Sequence, residues 1–197
     1  MYLLSVLGIA AILLLGVAAF YDLPIVQAPY APNNPVAIFF EAFCYWPLYL
    51  PFVLLGMVWT FLYRSNPSRH VFGELLVITV LFILWNQSLP NLAQRKIFTL
   101  SSAGLSFAAL VMTFLGTLIA MSLASRWDKP TLLRMELVAK FGILLCIADN
   151  LVINLLKILW NRARFDEMAA SGDFSAFSPW YLPGGNGGTS FPSGHTA

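Results

Sequence analysis

The seven residues Phe191-Pro-Ser-Gly-His-Thr-Ala197 are the part of this sequence best equipped for chemistry. Pro192 suits the first position of a helix, which puts Ser193, Gly194 and His195 in its first turn. Free backbone N–H groups and a partial positive charge make such a turn a ready anion site. Gly194 lets the backbone approach a ligand with no Cβ in the way. Ser193 adds a hydroxyl donor, and His195 can give or take a proton near neutral pH. At average residue frequencies Pro-Ser-Gly-His arises by chance in on the order of one chain in 1,000 of this size. The plain alternative is a helix cap that happens to contain histidine.

A second polar grouping precedes it. Asn150, Asn154, Lys157, Asn161 and Arg164 follow one another at steps of +4, +3, +4 and +3, which puts all five on one helix face. A polar face on a membrane helix points into the bundle or a wet cavity. If the helix continues that far, Lys157 and Arg164 lie ~10 Å apart in rise and can converge on one multiply charged anion. Arginine brings a planar fork and lysine a point charge. Equally, Lys157, Arg162 and Arg164 could snorkel to headgroups and complement a helix C-terminus. Asp149, two turns below Lys157, either supports such a site from behind, with Asn161 and Pro192, or makes an internal hydrogen bond that positions the helix. Glu136 and Lys140 read most simply as an interfacial i,i+4 ion pair, and Glu74 as a snorkelling side chain. No Cys, His and carboxylate residues fall at metal-ligand spacing, so neither a metal nor another cofactor is expected. Cys44 and Cys146 sit in apolar surroundings and read as small core residues rather than a redox pair.

The elements that must position these residues are membrane helices. Of 197 residues, 59% are apolar, 15% aromatic and only 10% charged, against about 25% charged in a soluble domain. Mean hydropathy is +0.76. Such a composition excludes a soluble globular protein, a disordered chain and a disulfide scaffold. The net charge of +2 gives no reason to expect nucleic-acid binding. Crossing about 30 Å of hydrocarbon takes roughly 20 residues. Five runs qualify: Met1–Phe20, Val36–Tyr63, Val71–Leu89, Leu100–Ser125 and Thr131–Trp160. Backbone groups in lipid must bond internally, so these are helices. The first run reads as a span rather than a cleavable signal, for it lacks early Lys or Arg and has a long apolar core. Pro47 and Pro51 predict a kink in the second run, or a segment lying in the interface. Gly104-x3-Ala108 and Gly116-x3-Ala120 allow close helix packing, and Pro130 suits the first turn of the fifth helix. The expected fold is all-α: a polytopic transmembrane bundle of five spans plus the start of a sixth. Residues 1–125 form its N-terminal helices and residues 126–197 begin a functional core.

With these residues in place, the chain resembles the type-2 phosphatidic acid phosphatase superfamily of membrane lipid phosphatases. That family carries K-x6-R-P, then P-S-G-H, then S-R-x5-H-x3-D. Lys157 to Arg164 match the first motif, with Phe165 where the family usually has proline, and Pro192-Ser193-Gly194-His195 match the second. The resemblance covers about the last third of the chain. It implies that Lys157 and Arg164 neutralise a substrate phosphate, that Ser193 and the Gly194 N–H bond its oxygens, and that His195 is the acid for the leaving group. The third motif, which supplies the nucleophilic histidine, does not occur. His70 fits no part of it, so the expectation is an N-terminal fragment, inactive alone.

The substrate implied is a lipid phosphomonoester or diphosphate: a polyprenyl diphosphate, phosphatidylglycerol phosphate, phosphatidic acid or lipid A phosphate. A lipid-to-lipid phosphotransferase and a non-enzymatic binder of anionic lipid stay open as alternatives. Counting loop cations leaves orientation tied, with Arg64, Arg69, Arg126, Lys129 and Arg134 on one side and Arg95, Lys96, Lys157, Arg162 and Arg164 on the other. The family places its catalytic helices on the outer side of a bacterial inner membrane, or facing a lumen in eukaryotes. That implies a cytoplasmic N-terminus, agrees with Trp160, Trp180 and Tyr181 as interface aromatics, and turns the site to the periplasm or exterior. The sequence does not set the oligomeric state.

Overall fold

The computed structural model describes residues 34–161 together with 163, 168, 169, 171–175, 177 and 182. Its elements are all helices: α1 (Pro35–Phe43), α2 (Trp46–Leu62), α3 (Pro67–Gln94), α4 (Ser102–Ala124) and α5 (Lys129–Trp160). α3, α4 and α5 are each long and apolar enough to cross a membrane, and α1 with α2 makes a fourth crossing if the pair is counted as one broken span. The expected first span, Met1–Phe20, lies outside the described residues, as does the start of a sixth.

Proline placement explains where the helices differ from expectation. The second run is two helices bent by 43°, because Pro47 has no N–H to give the Phe43 carbonyl one turn back. α1 therefore stops at Phe43, and Pro47 sits in the first turn of α2. In α3, by contrast, the helix passes through Pro90 to Gln94, past the expected end at Leu89. The last turns there carry Asn86, Gln87, Asn91 and Gln94, so the carbonyl that Pro90 leaves free can meet water. Side-chain caps start the other helices. Asn34 accepts from Val36 N–H, Asn66 from Arg69 N–H and Ser101 from Gly104 N–H. At α5, Asp128 accepts from Thr131 N–H at 3.1 Å, with Pro130 in the first turn as expected.

The described residues fall into two compact units, one over Asn33–Asn150 and one from Leu151 onward. Within the first, α2 packs most extensively on α3, α3 on α4, and α1 on α3. The core joins Val53 and Met57 of α2, Val77, Val80, Leu81 and Leu84 of α3, and Ala120 and Ala124 of α4. The tightest crossing is Gly56 on Gly73. A Cβ at either position would stand 2.7 Å from the other's carbonyl oxygen, so only glycine admits this approach. Of the two expected small-residue pairs, Gly116 meets Leu81 of α3 and Ala120 is buried. Gly104 instead sits over its own cap at Ser101.

α5 is held differently. Glu136, 7% exposed, is the one buried charged residue among those described. It accepts from Trp59 Nε1 at 3.2 Å, from Tyr63 Oη at 3.3 Å and from Lys140 Nζ at 2.8 Å. Further along, Gly142 lies against Pro51, where a Cβ would come within 2.9 Å of the ring.

Candidate functional site

The stripe of α5 starts from an ordinary helical register. Asn150, Asn154 and Lys157 lie within the helix at the expected +4 and +3 steps and share one face. Lys157 is half-buried and stands in the last turn, where a cation is favoured by the exposed carbonyls of the helix end. No carboxylate of another described residue lies within ion-pair distance of it.

The helix then stops. Asn161 N–H bonds the Lys157 carbonyl at 2.9 Å, and Asn161 itself takes the left-handed conformation with φ of +45°. Asparagine tolerates that region and commonly closes helices. The face counted through Asn161 to Arg164 is thereby corrected: its helical part ends with Lys157, and Asn161 is the terminator rather than a further rung. Arg162 and Arg164 lie outside the described residues. So do Pro192, Ser193, Gly194 and His195, together with Trp180 and Tyr181.

Asp149 is half-buried and makes no side-chain hydrogen bond or ion pair with another described residue. Asn150 turns its amide back onto the Cys146 carbonyl at 2.9 Å. Beyond the helix, Asp173 accepts from Ser175 N–H at 2.8 Å, and this bond holds its carboxyl below the usual range. Among the described residues, no three His, Cys, Asp or Glu side chains gather into a metal-binding group. Cys44 and Cys146 are both free thiols, half-buried.

Sequence reading anticipated the Glu136–Lys140 pair but missed the two donors supplied by Trp59 of α2 and by Tyr63, which caps its C-terminus. The available signal was their spacing, one turn apart near the end of an apolar run, which presents an indole N–H and a phenol on one face. Glu74 is met by His70 Nε2 at 3.5 Å, one turn earlier on α3, while His70 Nδ1 lies 2.8 Å from the Thr60 carbonyl. Compared with known proteins, the chain matches no family model, no curated protein and no solved structure.

Proposed function

We propose that this chain is part of a membrane lipid phosphatase, a hydrolase acting on a phosphomonoester or diphosphate headgroup. In this reading the chain contributes five spans and the start of a sixth, with residues 126–197 beginning the catalytic core. The site opens to the periplasmic or outer side of a bacterial inner membrane. The observation that carries the reading is Lys157: a half-buried lysine in the last turn of an apolar helix, followed along the chain by Arg164 and then by Pro192-Ser-Gly-His195. Phosphoryl transfer depends chiefly on positive charge and donors placed around the equatorial oxygens. Lys157 and Arg164 supply the charge, and Ser193 and the Gly194 N–H supply the donors. A histidine nucleophile takes the phosphoryl group as the P–O bond to the lipid breaks. His195 protonates the departing oxygen, and water then releases phosphate. The nucleophile is not among these 197 residues, so the reading requires S-R-x5-H-x3-D from the remainder of the reading frame. A binder of anionic lipid that performs no chemistry is the second reading, resting on the same cations and donors without the nucleophile.

The test uses the protein encoded by the whole reading frame, in nanodiscs of phosphatidylethanolamine and phosphatidylglycerol. It is offered undecaprenyl diphosphate, phosphatidic acid and phosphatidylglycerol phosphate in turn. Release of inorganic phosphate from one of them is expected, with kcat falling about 10²–10⁴-fold in His195→Ala while vanadate binding persists. Lys157→Ala should weaken vanadate binding as well. A newly phosphorylated lipid in place of free phosphate would make the protein a phosphotransferase. No turnover with any substrate, or turnover indifferent to His195, overturns the enzymatic reading.

A further inference from the structure

α1 is a nine-residue helix whose two faces differ. Ile38 and Ala42 turn inward and are buried, whereas Val36, Phe39 and Phe40 turn outward, with Phe39 55% and Phe40 66% exposed. The question is what covers the outward face. The places where α1 is fastened to α3 supply the answer.

Its fastenings, and those of Trp46 at the start of α2, all lie along the last turns of α3 and just past its end. Ser88 of α3, itself buried, donates to the Ala42 carbonyl at 2.7 Å and accepts from Trp46 Nε1 at 3.0 Å. Phe43 meets the Trp85 ring edge-on at 6.2 Å, and Trp46 meets it at 4.8 Å. Arg95, just past the end of α3, grips both oxygens of Glu41 at 2.7 and 3.0 Å. Trp85, Ser88 and Arg95 thus span the stretch of α3 that also carries Asn86, Gln87, Asn91 and Gln94.

That stretch is too polar for hydrocarbon, and the length of α3 agrees. Its 28 residues rise about 42 Å, beyond the ~30 Å of a bilayer core. Within the Val71–Leu89 run, the part free of amide side chains ends at Trp85, and tryptophans mark the edge of the acyl region. The Glu41–Arg95 pair is more than a third exposed on both side chains, which hydrocarbon would penalise heavily. Water is equally unsuited to the other face, since Val36, Phe39 and Phe40 would form a contiguous apolar patch. The 17 residues of α2 already rise about 25 Å and need little help to cross.

We propose that α1 is an interfacial helix, lying at the boundary between headgroups and acyl chains, with Phe39 and Phe40 inserted as a wedge among the upper acyl chains. Its occupant is the lipid leaflet, continuous with the lipid that surrounds the outward faces of α3 and α4. The 43° bend at Cys44–Tyr45 is then the corner where the chain turns from the interface into the bilayer. This inference does not depend on the phosphatase reading.

Labels at four positions test it. In a background of Cys44→Ala and Cys146→Ala, single cysteines are placed at Val36, Phe39, Phe40 and, for reference, Phe114 in the middle of α4. All four side chains face outward, so the labels need not disturb packing. Each carries an environment-sensitive fluorophore, and the protein is reconstituted in phosphatidylethanolamine–phosphatidylglycerol vesicles containing lipids with nitroxides at known depths. Labels at Val36, Phe39 and Phe40 should report depths of about 15 Å from the bilayer centre, while Phe114 reports a depth near the centre itself. Phe39 and Phe40 labels within about 5 Å of the centre would make α1 part of a buried span or re-entrant loop and overturn the proposal. Quenching only by aqueous iodide would overturn it too, by placing α1 in water.

Discussion

α2 meets α3 by backbone, and α5 meets α2 by side chain. At the first junction Gly56 and Gly73 bring two helices so close that there is no room for a methyl group. At the second, a carboxylate reaches across to an indole and a phenol, with Gly142 easing past Pro51 further along. Lipid offers helices no hydrophobic reason to associate, so close van der Waals approach and interhelical hydrogen bonds must do it. Both joints use both devices in different proportion. Trp46–Ser88 and His70–Thr60 also bond across the first, but its closest approach is backbone on backbone, whereas the second centres on the buried carboxylate. The backbone joint is unforgiving of volume, whereas the polar joint is unforgiving of lost partners.

The largest effect should follow from adding volume to the backbone joint. In Gly73→Ala the new methyl would lie 2.7 Å from the Gly56 oxygen and 2.8 Å from Thr60 N. Backbone cannot step aside without moving a whole helix, so a loss of about 1–3 kcal/mol or more is expected. Equilibrium unfolding in mixed micelles measures it, and unaltered stability would show that the two helices do not cross so closely.

A smaller loss is expected at the polar joint. Glu136→Leu strips Trp59 and Tyr63 of their acceptor and Lys140 of its partner. Lys140 is well exposed and can turn to water, which leaves about 1–2 kcal/mol from the interhelical bonds. Pairing this change with Tyr63→Phe sharpens the contrast. If the two residues act together, the double variant loses less than the sum of the singles; strict additivity would separate them.

The smallest effect belongs to the start of α5, where no tertiary partner is needed. The Thr131 side chain and then its backbone N–H bond the Asp128 carboxylate, which holds the group below the usual carboxylate range. Since its pKa is lower folded than unfolded, its contribution is present above the ordinary carboxylate pKa and fades as pH falls through the depressed value. The melting temperature of Asp128→Ala should therefore sit slightly below that of the parent at neutral pH. The gap should close between about pH 5 and pH 2, and a gap that widens on acidification would contradict the capping bond.

Local chemistry was readable wherever it acts within a turn or two. Pro130 opens α5 and the Glu136–Lys140 pair forms, because an i,i+4 relation is fixed by the helix itself. Pro47 marked a disturbance but not its form: the helix breaks at Phe43 ahead of Pro47, whereas α2 runs on through Pro51 and α3 through Pro90. The stripe of α5 was overextended for a related reason. Side-chain spacing cannot reveal that Asn161 adopts a left-handed φ, since asparagine is equally at home continuing a polar face and ending a helix.

Composition alone established a helical membrane protein, for a chain this apolar cannot remain folded in water, and backbone in lipid has little choice but to bond to itself. Residue type and spacing also nominated Lys157, Arg164 and Pro192-Ser-Gly-His195 as an anion-binding set. Tertiary structure decided which helices touch and how. It chose Gly56 and Gly73 over Gly104, gave Glu136 its aromatic partners from the end of α2, and pinned α1 to the polar end of α3. Those choices depend on atoms distant in the chain competing for the same few ångströms, and no local rule of spacing contains that information.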